Sequence, residues 1–184
     1  MTAKIGIAVV LLLSGIAVLA QTGVKVENFN ANGVSFQYPD GWTIADDSNS
    51  DAQQITLTRP KNDVQIRVFV HKGKITPEKF PDAKKAFIDP YVASTVKQFE
   101  AMQAKPQQSP DTTDIAGVKA DGVKVSANLG EPGAAKIYWA LLGQRVVILT
   151  IFGPDREIKE FMPTWDMLRS TFKIEDKSAP KSKP

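Results

Sequence analysis

The sequence of 184 residues contains no cysteine and one histidine, His71. Without cysteine there can be no disulfide framework, no thiol nucleophile, no thiolate zinc site and no lipidated N-terminal cysteine. With one histidine, a site that needs two from the same chain is excluded, and any histidine-dependent triad rests on His71 alone. Charge of a single sign is also scarce: 23 Lys and Arg stand against 20 Asp and Glu. Lys4 lies in the first twenty residues, and four lysines face Glu175 and Asp176 after Phe172, so residues 21–172 balance at 18 against 18. A nucleic-acid binder needs a basic stripe on its folded face, and these charges are interspersed, which argues against nucleic acid as a partner. Glycine-rich phosphate loops, a Gly-x-Ser-x-Gly elbow, a paired His-Glu zinc motif and calcium-loop spacing are all missing.

What is present begins with a targeting pattern. One positive charge at Lys4 precedes an apolar stretch from Ile5 to Leu19, and Val18-Leu19-Ala20 offers small residues at peptidase positions. Residues 1–20 therefore read as a signal peptide cleaved after Ala20, because the run is shorter than the roughly 20 residues a spanning helix requires. An uncleaved membrane anchor is the alternative. Either way the expected location is exported, periplasmic or extracellular. Residues 21–174 are long enough for one core, and 175–184 read as a disordered tail of Lys, Ser and Pro.

Period-two alternation dominates the first half. Val34, Phe36 and Tyr38 lead through Pro39-Asp40-Gly41 to Trp42 and Ile44, which reads as a hairpin. Ile55 and Leu57, then Val64, Ile66, Val68 and Val70, continue it, so four antiparallel strands in succession are expected. Thr76-Pro77-Glu78 and Asp89-Pro90 are helix starts, and Val92, Val96 and Phe99 share one helical face that ends near Ala104. Residues Lys105 to Thr113 read as a polar, mobile loop. A strand over Gly122–Ala127 is followed by a hairpin of Ala134–Leu142 and Arg145–Phe152 about Gly143-Gln144, both strands apolar on both sides and hence central. Pro154-Asp155 opens a helical stretch with a restart at Pro163, and Thr171–Ile174 adds a short last strand. Strands, helix, strands, helix give an α+β fold: a mainly antiparallel central sheet of about six to seven strands flanked by helices.

Four segments carry a family resemblance: Phe36-Gln37-Tyr38-Pro39-Asp40-Gly41-Trp42, Ile115-Ala116-Gly117-Val118-Lys119-Ala120, the hairpin Tyr138 to Phe152, and Leu168-Arg169-Ser170-Thr171-Phe172. Together they resemble the PsbP-like proteins, whose α/β/α sandwich is shared with Mog-type Ran-binding factors and DcrB-like envelope proteins. The resemblance implies a non-catalytic domain with no cofactor, acting as a protein-binding or assembly factor in the cell envelope. It departs from bacterial photosynthetic members, which commonly carry a lipid-modified cysteine.

Individual candidates have bland competing explanations. Tyr38 and Trp42, flanking one turn, and Trp139 and Trp165, inside apolar patterns, read as packing. His71 ends a strand beside Lys72 and Lys74, which would repel a metal ion. Ser48, Ser50 and Asp51, and the pair Asp111 and Asp114, lie in polar segments that read as solvated. No catalytic, cofactor-binding or metal-binding residue is therefore assigned. The expected partner is another protein or an envelope assembly, met through Lys105–Thr113, Lys72–Pro81 or the basic tail, which also offers peripheral membrane contact. A small-molecule or lipid carrier with a cleft between sheet and helix, and a hydrolase built on Asp and Glu, are the alternatives.

Overall fold

The computed structural model describes residues 25–175. The expected signal segment 1–20 and all of the tail except Glu175 lie outside the described residues. Seven strands form an antiparallel sheet in the order β3(Thr43–Asp46), β4(Ala52–Thr58), β5(Gln65–His71), β9(Arg145–Pro154), β8(Pro132–Leu142), β7(Val118–Asn128) and β6(Gln107–Ile115). The two strands expected to be central, β8 and β9, lie inside the sheet, with Ile137, Val147, Ile148 and Leu149 almost completely buried. Their hairpin turns at Gly143-Gln144 with Gly143 at φ 60°, as a type II′ turn requires.

A second, three-stranded sheet holds β1(Val26–Ala31), β2(Val34–Pro39) and β10(Lys173–Ile174). This corrects the first expected hairpin. Val34 to Pro39 does not pair with Thr43 to Asp46; β2 pairs with β1, and β3 pairs with β4 in the large sheet. The reason is turn chemistry. Asn32 and Gly33 both have positive φ, 51° and 79°, the condition for a primed hairpin turn that matches strand twist. Pro39-Asp40-Gly41 offers positive φ only at Gly41, and it carries the chain from one sheet to the other.

The alternating strands divide the core into two clusters. On one face Ile66, Val68, Tyr138, Leu149 and Ile151 pack against α3(Asp155–Glu160), α4(Met162–Thr171) and the small sheet. Phe36 stacks between Phe29 and Phe172, with ring centroids 4.8 and 6.3 Å away. Trp42 meets Phe161 edge-on at 5.5 Å and Trp165 is 1% exposed, so both indoles pack as expected, although Trp42 does so against a helix and not across a hairpin.

The opposite face is covered by one continuous helical run. A 3₁₀ turn at Pro77–Lys79 leads into α1(Phe80–Ala83), a π-turn at Lys84–Ile88 and α2(Asp89–Ala101). Asp89-Pro90 is therefore a continuation and not a fresh start. The Asp89 amide reaches back five residues to the Lys84 carbonyl, and this wider turn accommodates Pro90, which lacks an amide hydrogen and would crowd a regular helix. Residues 105–113 are corrected as well: most of that segment is β6, an edge strand paired along its length with β7. Its polar composition reflects an edge exposed to solvent, where Pro110 is tolerated.

Candidate functional site

The residues weighed as chemical candidates in the sequence are each tied into local structure. Asn49 Oδ1 accepts the amides of Asp51 and Ala52, Ser48 Oγ accepts the Gln54 amide at 3.1 Å, and Ser50 Oγ donates to Asp51. Hydrogen bonds from Ser48 hold the Asp46 carboxyl below its usual range. Together these bonds build the β3–β4 connection. Asp111 and Asp114 sit an odd number of residues apart on β6, so their side chains leave opposite faces and cannot converge. Asp111 accepts the Tyr138 hydroxyl at 2.7 Å. Burial first, and this carboxylate second, push the Tyr138 phenol well above its ordinary range.

His71 is half-buried, its ring 4.3 Å from that of Phe87, and its Nδ1 accepts the Gly73 amide at 3.1 Å. Glu157, buried at the start of α3, accepts the amides of Asp63 and Val64 at 2.7 and 2.9 Å, closing the turn before β5. Among the described residues no group of three or more His, Asp or Glu is placed to hold a metal ion.

Among the concavities of the described residues is a groove of about 530 Å³ along the flank of α2. It exists because the helical run crosses the middle of the sheet and stops short of the β6 edge. Trp139 of β8 and Val123 of β7 make its floor, Val92 and Val96 of α2 its apolar wall, and Lys97, Glu100 and Gln108 its exposed rim. The Lys84 ammonium lies 5.5 Å from the centre of the Trp139 ring and pairs with Asp89. Such an ammonium over an indole is held by the ring quadrupole and keeps the floor polar at one end. A second hollow, about 430 Å³, lies at the C-terminal end of α2 between Phe99, Met102, Leu129 and Phe152.

The sequence puts Val92 and Val96 on one face of the helix and raises a cleft between sheet and helix only for the carrier alternative, without placing it or naming its residues. The missing signal was β6: with 105–113 read as a loop, nothing defined the groove's far side. His71 lines neither hollow, and the segment Lys72–Pro81 is pinned by amides of Lys72 to Asp51 and of Ile75 to Gln144.

No family model matches the chain, and no curated protein matches it by sequence. Solved structures do. The solution structure of cyanobacterial PsbP (CyanoP) from Synechocystis sp. PCC 6803 superposes with a TM-score of 0.53 at 13% identity, covering 85% of this chain and 96% of that one. The fold is PsbP-like. A crystal structure of LpqN, involved in cell envelope biogenesis of Mycobacterium tuberculosis, matches at a TM-score of 0.44 and 17% identity over 83% of this chain and 92% of that one. A shared fold does not fix a role, which depends on this chain's own surface, including the α2 groove and the hollow beside Met102.

Proposed function

We propose that this chain is an exported, non-catalytic accessory domain that binds another protein in the cell envelope through the groove between α2 and strands β6 and β7. The observation that carries the reading is the groove's construction. An apolar floor and wall are edged by exposed groups of both signs, Lys97 and Glu100, which is the composition of a protein-recognition surface with an apolar centre and a polar rim. Trp139, 9% exposed, gives the groove an aromatic floor.

The carboxylates best shielded from water support the same reading. Glu157 caps backbone amides and Asp111 holds Tyr138, so each already has a structural task. A carrier would enclose most of its cargo. This groove is lined on its outer side by exposed Lys97, Glu100 and Gln108, and offers a small amphiphile little enclosure. The segment from Ile5 to Leu19 supports export, and among the described residues no helix is long and apolar enough to cross a membrane. The basic tail Lys177–Pro184 is an auxiliary contact in this proposal.

The test places a photo-crosslinking residue at Ala93, which is exposed at the groove, and at Val118 as a control away from it. In envelope preparations the Ala93 probe should give one discrete adduct that Val123→Glu removes while circular dichroism stays unchanged. Equal labelling from both probes, or an adduct indifferent to Val123→Glu, would overturn the groove as the binding surface.

A further inference from the structure

Two large apolar side chains left exposed, Met102 at 54% and Leu129 at 38%, line one recess, the hollow of about 430 Å³ at the C-terminal end of α2. Single apolar side chains on a surface need no explanation, but two on the lips of one concavity do. Strand register builds the floor. Thr58 of β4 pairs with Gln65 of β5, and Gln65 with Phe152 of β9, so one row of side chains crosses three strands on the helix-facing side of the sheet. Along β8, alternation puts residue 133 on that face with Ala135 and Ile137, and a glycine there leaves the space unfilled. The helix α2 ends over this row, with the Phe99 and Phe152 ring centroids 5.6 Å apart.

The hollow therefore has two unlike sides. Sheet order puts Thr58, Asp63 and Gln65 on one side of Phe152 and Leu129, which follows β7, on the other. Charge says what such a recess takes. Its lining includes two carboxylates, Asp63 and Glu131, and no Lys or Arg. Glu131 is already bound, because Arg156 Nε and Nη2 donate to its two oxygens at 3.0 and 3.2 Å. The neighbouring Arg67 guanidinium donates to Gln65 Oε1 at 3.0 Å. Asp63 is exposed and has no ion pair among the described residues, while its amide, held by Glu157 Oε2 at 2.7 Å, fixes the backbone that carries the carboxylate. A lone carboxylate beside aromatic rings and a thioether complements an ammonium on an apolar body, and it repels an anionic amphiphile.

We propose that this hollow is a binding site for a small organic amine, its apolar body lying on Phe99 and Phe152 between Met102 and Leu129 and its ammonium pairing with Asp63. A volume of about 430 Å³, mostly apolar walls and a few polar groups on one side are the usual make-up of a small-molecule site. The hollow shares no lining residue with the α2 groove. Val123→Glu leaves it intact, so this proposal and the protein-binding groove stand or fall independently.

The test uses the methionine methyl resonances of the full chain. Met102 lines the hollow, whereas Met162 and Met167 lie on α4, across the sheet. Phenethylamine, phenethyl alcohol and hydrocinnamate are each titrated at neutral pH. The amine should move the Met102 resonance saturably and leave Met162 and Met167 in place. The alcohol should bind about fivefold more weakly, the increment one exposed ion pair supplies, and hydrocinnamate more weakly still. Asp63→Asn should lower the amine to the affinity of the alcohol, whose own binding the substitution leaves unchanged, with circular dichroism as in the wild type. Equal affinities for amine, alcohol and acid overturn the proposal, and so does an Asp63→Asn chain that binds the amine as before. A Met102 resonance indifferent to phenethylamine overturns it too; if a lysine-containing peptide moves that resonance instead, the hollow serves a protein side chain.

Discussion

Tyr138 illustrates how one side chain links three strands. Its ring lies over Gly122, the partner residue on β7, where an added methyl group would overlap the ring and approach the Ile137 carbonyl to 2.6 Å. Its hydroxyl passes on to Asp111 of β6, the next strand. Glycine on β7 is therefore required by packing, and the exposed strand it weakens is tied down by a buried phenol. Because the phenol's folded pKa lies above its unfolded value, the stability it contributes is complete below about pH 10 and is lost as pH rises beyond that. Tyr138→Phe should cost about 1 kcal/mol at neutral pH through the lost hydrogen bond. Above pH 10 the variant should lose stability less steeply than the wild type, which thermal denaturation across pH 7–11 would reveal. Parallel curves would show that Tyr138 does not carry the alkaline sensitivity.

At the scale of the element, β6 is the part most misjudged by its composition. Of Gln107 to Ile115 only Thr112, Thr113 and Ile115 favour strands, and the shape of β6 comes from pairing with β7 and a tight return at Ala116-Gly117, both at positive φ. Only the structure shows that a primed turn with an alanine at its first position closes this hairpin. As an edge nine residues long, β6 needs protection against pairing with other chains, and Pro110 interrupts its donor row. Pro110→Val should leave the monomer folded and raise its self-association, seen as higher light scattering on concentration. Unchanged scattering would mean that Asp111, Asp114 and the twist of the strand suffice. The helical run makes a related point. Asp89-Pro90 reads in the sequence as a helix start, but the π-turn that lets the helix pass Pro90 depends on Ile88 and Phe99 being held on the sheet.

For the whole molecule, the question is how two sheets become one body. The small sheet is attached through Val34 and Phe36, buried in one cluster with Ile55, Leu57 and Ile66 of the large sheet, and through Gln53, which is fully inaccessible and donates to the Ala31 carbonyl. Its other polar atom, Oε1, has no partner among the described residues, so the group is retained at some cost. Gln53→Ala removes the bridge and opens a small cavity, and should cost about 1–3 kcal/mol. The loss should be local. Amide exchange should accelerate in β1 and β2 well before β8 and β9, because those inner strands are packed on both faces. Uniform acceleration would mean that the two sheets open as one cooperative unit.

Much of this architecture follows from the linear order of residues. Alternation in β4, β5, β8 and β9, the turn at Gly143-Gln144, the helical face of Val92, Val96 and Phe99, and the restart near Pro163 each depend on neighbours a few positions away, and such short-range patterns are written in the sequence. The absence of cysteine and the single histidine bounded the chemistry on the same basis. Tertiary structure decided what depends on distant partners. It chose Asn32-Gly33 over Pro39-Asp40-Gly41 as the first hairpin turn, made a strand of 107–115, and opened a groove where α2 falls short of the sheet edge. Gln108, Val123 and Trp139 line one groove with the flank of α2 yet share no local pattern, so only the completed fold can place them side by side.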